Sequence, residues 1–332
     1  NRFKWLVVAA GAAAVFAVCF GVQRVLVDTE AGSSPERSAR PLRHRRIISL
    51  APSITETLFA LDLGAAVVGV TRFCDHPPAA AAKPDVGGYY DPNYEAMTAL
   101  EPDLVVVLPE HQKPRTFLKD RGIDVLTVNH QTVDGILSSI RLIGEACGVE
   151  ERAEGLVQDL RTRMRKVAAR TEDLDRPSVL VGVGRDTALA TIRKVFIAGN
   201  RGWYTELITL AGGVNAYQGQ LAFPSVSAEG ILKMDPDVII EMIGDLDRQF
   251  DVEQARQGWQ SLSRVSAVQD GRVHFFLRDS AVVPGPRFVD VLEKMARVLH
   301  PELAWEANGE RPAGDGVAAA GVRDEQQDAA SQ

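Results

Sequence analysis

The chain has 332 residues, 45% of them hydrophobic and 24% charged, an ordinary globular composition with length enough for two domains. Its net charge of −7 argues against a nucleic-acid partner, which needs a basic face. The three cysteines, Cys19, Cys74 and Cys147, are too few and too scattered for a disulfide framework or a zinc ribbon; Cys74 and Cys147 read as free thiols, with a bridge in an oxidising compartment as the alternative.

Arg2 and Lys4 precede an uncharged apolar run from Trp5 to Val22, and Val25 to Val27 extend it past Gln23 and Arg24. That is the pattern of an export signal or a membrane anchor over residues 1–27. Cys19 as a lipidation site is the weaker reading, because Val18 stands where a small residue is expected. Arg37, Arg40, Arg43, Arg45 and Arg46 follow the segment, and basic flanks tend to stay in the cytoplasm, which opposes export. Residues 28–45, rich in Ser, Pro, Ala and Arg, read as a flexible tether.

The folded body begins with a strand at Arg46–Leu50, a helix at Ser53–Leu61 and a strand at Val67–Val70. After a Pro-rich loop come a short helix at Asn93–Leu100, a buried strand at Leu104–Leu108, a helix at Lys113–Arg121, a strand at Val125–Val128 and a helix at Val133–Cys147. Glu150 to Thr171 has no Pro, one Gly and apolar residues at helical spacing, so it reads as one long amphipathic helix, a rigid joint over residues 150–172. Beyond it come a strand at Ser178–Val183, a helix at Tyr204–Ala211, a helix at Ser227–Met234, strands at Val238–Met242 and Gly271–Phe276, and a closing helix at Arg287–Leu299. Residues 304–332 read as a disordered tail. Strands alternating with helices imply an α/β fold: two Rossmann-like lobes, residues 46–149 and 173–303, with parallel sheets.

The two halves echo each other. EAMTALEPDLVVV (Glu95–Val107) and EGILKMDPDVII (Glu229–Ile240) each put an acidic residue and a proline after an amphipathic helix, then Asp before a β-branched run. Glutamate also recurs after threonine near a helix start, at Glu56 and Glu206. Ser53 and Glu56 form a capping-box pattern. Trp203 stands at the serine's place in the second copy, so capping does not account for the recurrence. An exposed carboxylate on each lobe suits docking to arginines of a two-fold partner.

VGVGRDT (Val181–Thr187) lacks the third glycine of a dinucleotide fingerprint and reads as a turn. FCDHPP (Phe73–Pro78) sets Cys, Asp and His side by side, but neighbours in an extended loop diverge, so no metal site is expected. His111, His130, His274 and His300 are dispersed and read as surface or loop residues. Aromatics gather at segment joins: Tyr89, Tyr90 and Tyr94 in the first lobe, Trp203, Tyr204, Tyr217 and Phe223 in the second. Tyr89 and Tyr90 follow two glycines in a polar loop, where large flat side chains suit a broad ligand. No nucleophilic triad or paired-carboxylate site is defensible from spacing, so no enzyme and no cofactor are expected.

The stretches RIISLAPSITETLFALDLGAAVVGVT, CDHPP and DVGGYYDPNYEAMTALEPDLVVV resemble the periplasmic cobalamin-type substrate-binding proteins of ABC importers, and FPSVSAEGIL, DPDVII and VPGPRFVD continue the likeness to about residue 303. The resemblance implies two α/β lobes joined by one long helix, with the ligand in the cleft between them. It implies a monomeric receptor, exported and held near the membrane by its N-terminal segment, that serves a permease dimer with its ATPase subunits. It implies docking through Glu56 and Glu206, and a cobalamin-like corrinoid contacted by Pro52, Asp75, Tyr89, Tyr90, Trp203, Phe223, Asp279 and Arg287. The same machine carrying an iron–siderophore or haem is the alternative, with Arg185, Arg278 and Arg287 as candidate partners for an anionic chelate. Readings from other classes are a tethered sensor that binds nothing and a cytoplasmic corrinoid-using enzyme.

Overall fold

A computed structural model describes residues 43–185, 191–244, 250–277 and 279–305, with the side chain of Asp279 left out. The apolar segment at 1–27, most of the tether, Cys19, Asp186, Thr187, Arg278 and the tail from 306 lie outside the described residues. None of the described helices is long and apolar enough to cross a membrane.

The chain forms two compact units. The first takes in residues up to Val128 and Ser138–Val157; the second takes in Asn129–Leu137 and everything from Gln158. In the first unit the chain runs β1 (Ile47–Ser49), α1 (Pro52–Ala60), β2 (Val67–Val70), α2 (Pro78–Ala81), α3 (Tyr94–Ala99), β3 (Leu104–Val107), α4 (Gln112–Lys119) and β4 (Asp124–Thr127). Among the described residues its sheet has four parallel strands in the order β2-β1-β3-β4. Burial on both faces explains the continuous apolar runs: every residue of β1 and β3 is buried, and Ile48, Leu50, Val105 and Val107 pack with Val86, Met97 and Leu118.

The next two helices, α5 (Val133–Cys147) and α6 (Glu150–Thr171), have the bounds the sequence indicates, and each is divided between the units. Residues 129–137 pack with the second unit rather than the first. The Trp203 N–H donates to the Gln131 carbonyl at 2.9 Å, and the Val133 N–H donates to Glu206 at 2.7 Å.

The second unit continues with β5 (Ser178–Gly184), β6 (Lys194–Ile197), α7 (Trp203–Leu210), β7 (Val214–Asn215), β8 (Ser225–Ser227), α8 (Ala228–Met234), β9 (Val238–Ile243), α9 (Val252–Gln260), α10 (Ser266–Gln269), β10 (Val273–Leu277), a 3-10 turn at Asp279–Ala281 and α11 (Phe288–Leu299). Its sheet corrects the expectation of parallel strands throughout. The order is β10-β9-β5-β6-β8 with β7 on β5, and β6 runs antiparallel to both β5 and β8. The ribbon β6–β8 is short and alternates burial, with Val195 and Ile197 inward and Lys194 and Phe196 outward, so it gives no continuous apolar run in sequence.

The internal repeat is structural. After α3, Glu101 takes φ 43°; after α8, Asp235 takes the same φ 43°; each is followed by proline. The aspartate beyond then clasps the start of a neighbouring strand. Asp103 accepts the Arg46 N–H at 3.1 Å, and Asp237 accepts the Ser178 N–H at 2.7 Å.

Candidate functional site

In the first unit, the aromatic pair sits at the tip of a tight turn. The Asn93 N–H donates to the Val86 carbonyl at 2.7 Å and the Gly88 N–H to the Asp91 carbonyl at 3.2 Å, and Gly87 pairs with Pro92. Gly87 has φ +99°, and a Cβ there would come within 2.5 Å of the Asn93 nitrogen; a Cβ on Gly88 would overlap the Asp91 carboxylate. The sequence Gly-Gly-Tyr-Tyr therefore has glycines where the chain crowds itself and tyrosines where it turns outward. Tyr90 is 84% exposed. Tyr89 is half-buried and meets Tyr90 edge to face at 4.7 Å, so the two stand together as the sequence suggests.

Behind the turn, the segment after β3 supplies a support. The Tyr89 phenol donates to a Glu110 carboxylate oxygen, and the Tyr89 ring meets the His111 ring edge to face at 4.7 Å. His111 is buried, and its Nδ1 accepts the Leu108 N–H at 3.1 Å. Burial pushes the Tyr89 phenol upward, and Glu110 adds to that; burial also lowers His111, against the opposing pull of Glu110. At neutral pH, therefore, Tyr89 is a protonated donor and His111 is uncharged. Asp75, Asp91 and Glu110 are all exposed in this unit; Arg72 lies 3.9 Å from Asp91.

The other expected residues fare differently. Pro52 is half-buried as the first residue of α1. Trp203 is buried, stacked on Tyr204 at 4.0 Å, and the Tyr204 phenol donates to the Ala281 carbonyl at 2.6 Å. Trp203 packs the start of α7, with 5% of it exposed. Tyr94 packs on Phe117, and Tyr217 packs against the second unit's core. Phe223 is 55% exposed, as a ligand-facing residue requires. Phe196 on the outward face of β6 and Leu221 are exposed too, and sequence reasoning passed over both. Asp279 lies in the 3-10 turn with its side chain outside the described residues, and Arg287 is half-buried at the start of α11.

The two glutamates expected to dock differ in exposure. Glu56 is 5% exposed, because both turns of α1 from Ser53 to Leu58 are buried. Its helix is capped from Ala51 with Pro52 at the first position, so the Ser53–Glu56 capping box does not form. Glu206 is half-buried, with one oxygen held by the Val133 N–H. The exposed glutamates at matched positions are Glu95 and Glu229. Each is the second residue of its helix, after a side-chain cap: Asn93 accepts the Ala96 N–H at 3.0 Å, and Ser227 accepts the Gly230 N–H at 3.3 Å. The internal repeat begins at these two residues in both halves.

Cys74 and Cys147 are buried free thiols. Cys74 lies 3.1 Å from the hydroxyls of both Thr55 and Thr71, and burial raises its pKa, so it is part of the packing. His111, His130 and His300 are buried rather than at the surface. Arg185 is engaged by Glu241 in a bidentate pair at 2.5 and 3.0 Å, both side chains 3% exposed. Among the described residues no three His, Cys, Asp or Glu side chains are grouped to hold a metal ion.

A family model for periplasmic binding proteins matches residues 47–278. The chain belongs to the periplasmic binding protein family. An uncharacterized ABC transporter substrate-binding lipoprotein of Bacillus subtilis, YvrC, is 30% identical over 270 residues, 79% of this chain and 82% of that one. The crystal structure of the vitamin B12 binding protein BtuF of Vibrio cholerae is similar with a TM-score of 0.64 and 26% identity, covering 78% of this chain and 97% of that chain. A periplasmic haem-binding protein from Pseudomonas aeruginosa is similar with a TM-score of 0.66 and 25% identity, covering 78% of this chain and 93% of that chain.

Proposed function

We propose that this protein is the substrate-binding protein of an ABC importer and that its cargo is cobalamin or a related corrinoid. The observation that carries the reading is the aromatic turn with its acidic surroundings. Tyr90 offers a flat apolar face, which suits a broad macrocycle. Glu110 on Tyr89, and Asp91 beside the turn with Arg72 3.9 Å away, put more carboxylate than cation next to the tyrosines, which disfavours haem propionates and anionic ferric chelates. A phenol that already donates to Glu110 is a poor iron ligand, and Arg185, one of the candidate partners for an anionic chelate, is consumed by Glu241. The names of similar proteins include both vitamin B12 and haem binders, so the charge of the site is what separates the two cargoes.

Export is supported by the work the basic flank does in the fold. Arg46 donates to the carbonyls of Leu100 and Glu101 at the end of α3, and Arg43 donates to the Glu145 carbonyl at 3.2 Å. These arginines have a reason to be present that does not involve membrane topology. Docking to the permease is assigned to Glu95 and Glu229, exposed and matched in the repeat, with the ligand contacted by Tyr89, Tyr90 and Phe223 and, as further candidates, Pro52, Asp75, Asp279 and Arg287.

The test is calorimetric titration of the full chain with cyanocobalamin, ferric siderophores and haemin. One-to-one binding of cyanocobalamin at micromolar affinity or tighter, on the order of −8 kcal/mol, is expected. Binding of haemin or ferric siderophores alone would keep the importer and replace the cargo. No binding of any of them would remove the corrinoid reading.

A further inference from the structure

We propose that Glu110 is a positioning residue for the ligand-presenting turn: by accepting the Tyr89 phenol it fixes Tyr89, and through Tyr89 it holds Tyr90 out in solvent. What stacks on Tyr90 rests on the receptor reading above; the restraint on the turn does not.

An exposed side chain changes rotamer freely unless a neighbour restrains it, and Tyr90 is 84% exposed. The stem of the turn is held by its own backbone, by the Gly87 N–H on Asp85 at 2.6 Å and by the Arg72 N–H on the Gly87 carbonyl at 3.0 Å. These bonds fix residues 86–88 and 91–93 and leave the two tyrosines at the tip to side-chain contacts. Tyr89 is clamped at two places: its phenol on Glu110, its ring on the edge of His111. The clamp is stiff because it is tied to β3. Glu110 and His111 follow directly from the buried strand, and the His111 ring is fixed by the Leu108 N–H. His111 is the wall and Glu110 the hook. Tyr90 leans on the ring so held, at 4.7 Å and 78°, and no other ring contact to it exists among the described residues. Glu110 itself is exposed, so removing it leaves the core intact.

The experiment uses the full chain and its Glu110→Ala, Glu110→Gln, Tyr89→Phe and Glu110→Ala/Tyr89→Phe variants. Amide hydrogen exchange across residues 86–93 is measured alongside calorimetric affinity for cyanocobalamin. Glu110→Ala and Tyr89→Phe are each expected to speed exchange about tenfold at Gly88, whose N–H closes the turn on the Asp91 carbonyl, and to weaken cyanocobalamin by a similar factor, with unchanged thermal midpoints. The double variant should be no worse than either single, and Glu110→Gln, which keeps an acceptor, should recover most of the loss. Unchanged exchange in Glu110→Ala would overturn the proposal, as would additive losses in the double variant. Should the wild-type chain bind no cyanocobalamin, the receptor reading fails, and hydrogen exchange alone decides the role of Glu110.

Discussion

On the proposed reading, substitution of Tyr90 separates binding from stability. Because 84% of it is exposed, Tyr90→Ala should move the unfolding free energy by no more than about 0.5 kcal/mol. Its loss from a stacking surface should weaken ligand by about 1–2 kcal/mol, seen as a roughly fivefold to thirtyfold rise in the calorimetric Kd. The two glycines below it behave in the opposite way. Gly88→Ala forces a Cβ into Asp91, and Gly87→Ala must hold φ +99°, so each should lower stability by roughly 1–3 kcal/mol in urea unfolding and weaken ligand as a consequence. The tyrosine pair was legible in sequence because glycine and tyrosine in a polar loop leave few structural reasons for the aromatics. Trp203 and Glu56 were not, because their burial is set by tertiary packing: the Tyr204 on which Trp203 stacks is anchored by the distant Ala281 carbonyl, and α1 is buried from Ser53 to Leu58. Local pattern carries no information about either.

At the scale of elements, the join of β5 to β9 contains a buried ion pair, Arg185–Glu241. Removing one partner from Arg185–Glu241 leaves a charge in a site where both side chains are 3% exposed. Arg185→Ala or Glu241→Ala should therefore cost about 3–5 kcal/mol, while replacing both with Met should cost far less. Urea midpoints of the three variants check this; equal losses in the single and double variants would refute it. The segment 129–137 carries a pH dependence. Burial pushes His130 down to about 4 from its ordinary value of 6.5. Between those values the unfolded chain takes a proton that the folded chain refuses, so stability falls as pH drops through that window. The loss attributable to His130 is on the order of 3 kcal/mol. His111 and His274 are shifted the same way, so His130→Gln should make the decline between pH 7 and pH 4.5 shallower without abolishing it. Most elements were readable because parallel strands buried on both faces give runs such as Leu104–Val107 and Val238–Ile243. The ribbon of β6 and β8 was not, since three- and four-residue strands with alternate exposure look like loop, and α9 and α10 are short helices whose neighbours decide them.

For the molecule as a whole, the receptor reading predicts a separation of capture from delivery. Reversing charge at Glu95 and Glu229 together should reduce uptake in cells by tenfold or more while leaving calorimetric affinity for the ligand unchanged, because neither residue lies on the aromatic turn. Reversal at Glu56 should instead destabilise the protein, since that side chain is buried. Equal uptake in the Glu95/Glu229 variant would remove both residues as docking points. The interleaving of the two units along the chain also has a bearing on biosynthesis. Residues 129–137 leave the ribosome before the first unit has its last segment, yet their partners belong to the second. The Val133 N–H waits for Glu206, made 73 residues later, a delay of about 4–15 s at ordinary rates of translation. During that interval Val133, Ile136 and Leu137, all buried in the finished protein, are apolar surface without a home, and a nascent-chain chaperone would find its substrate there.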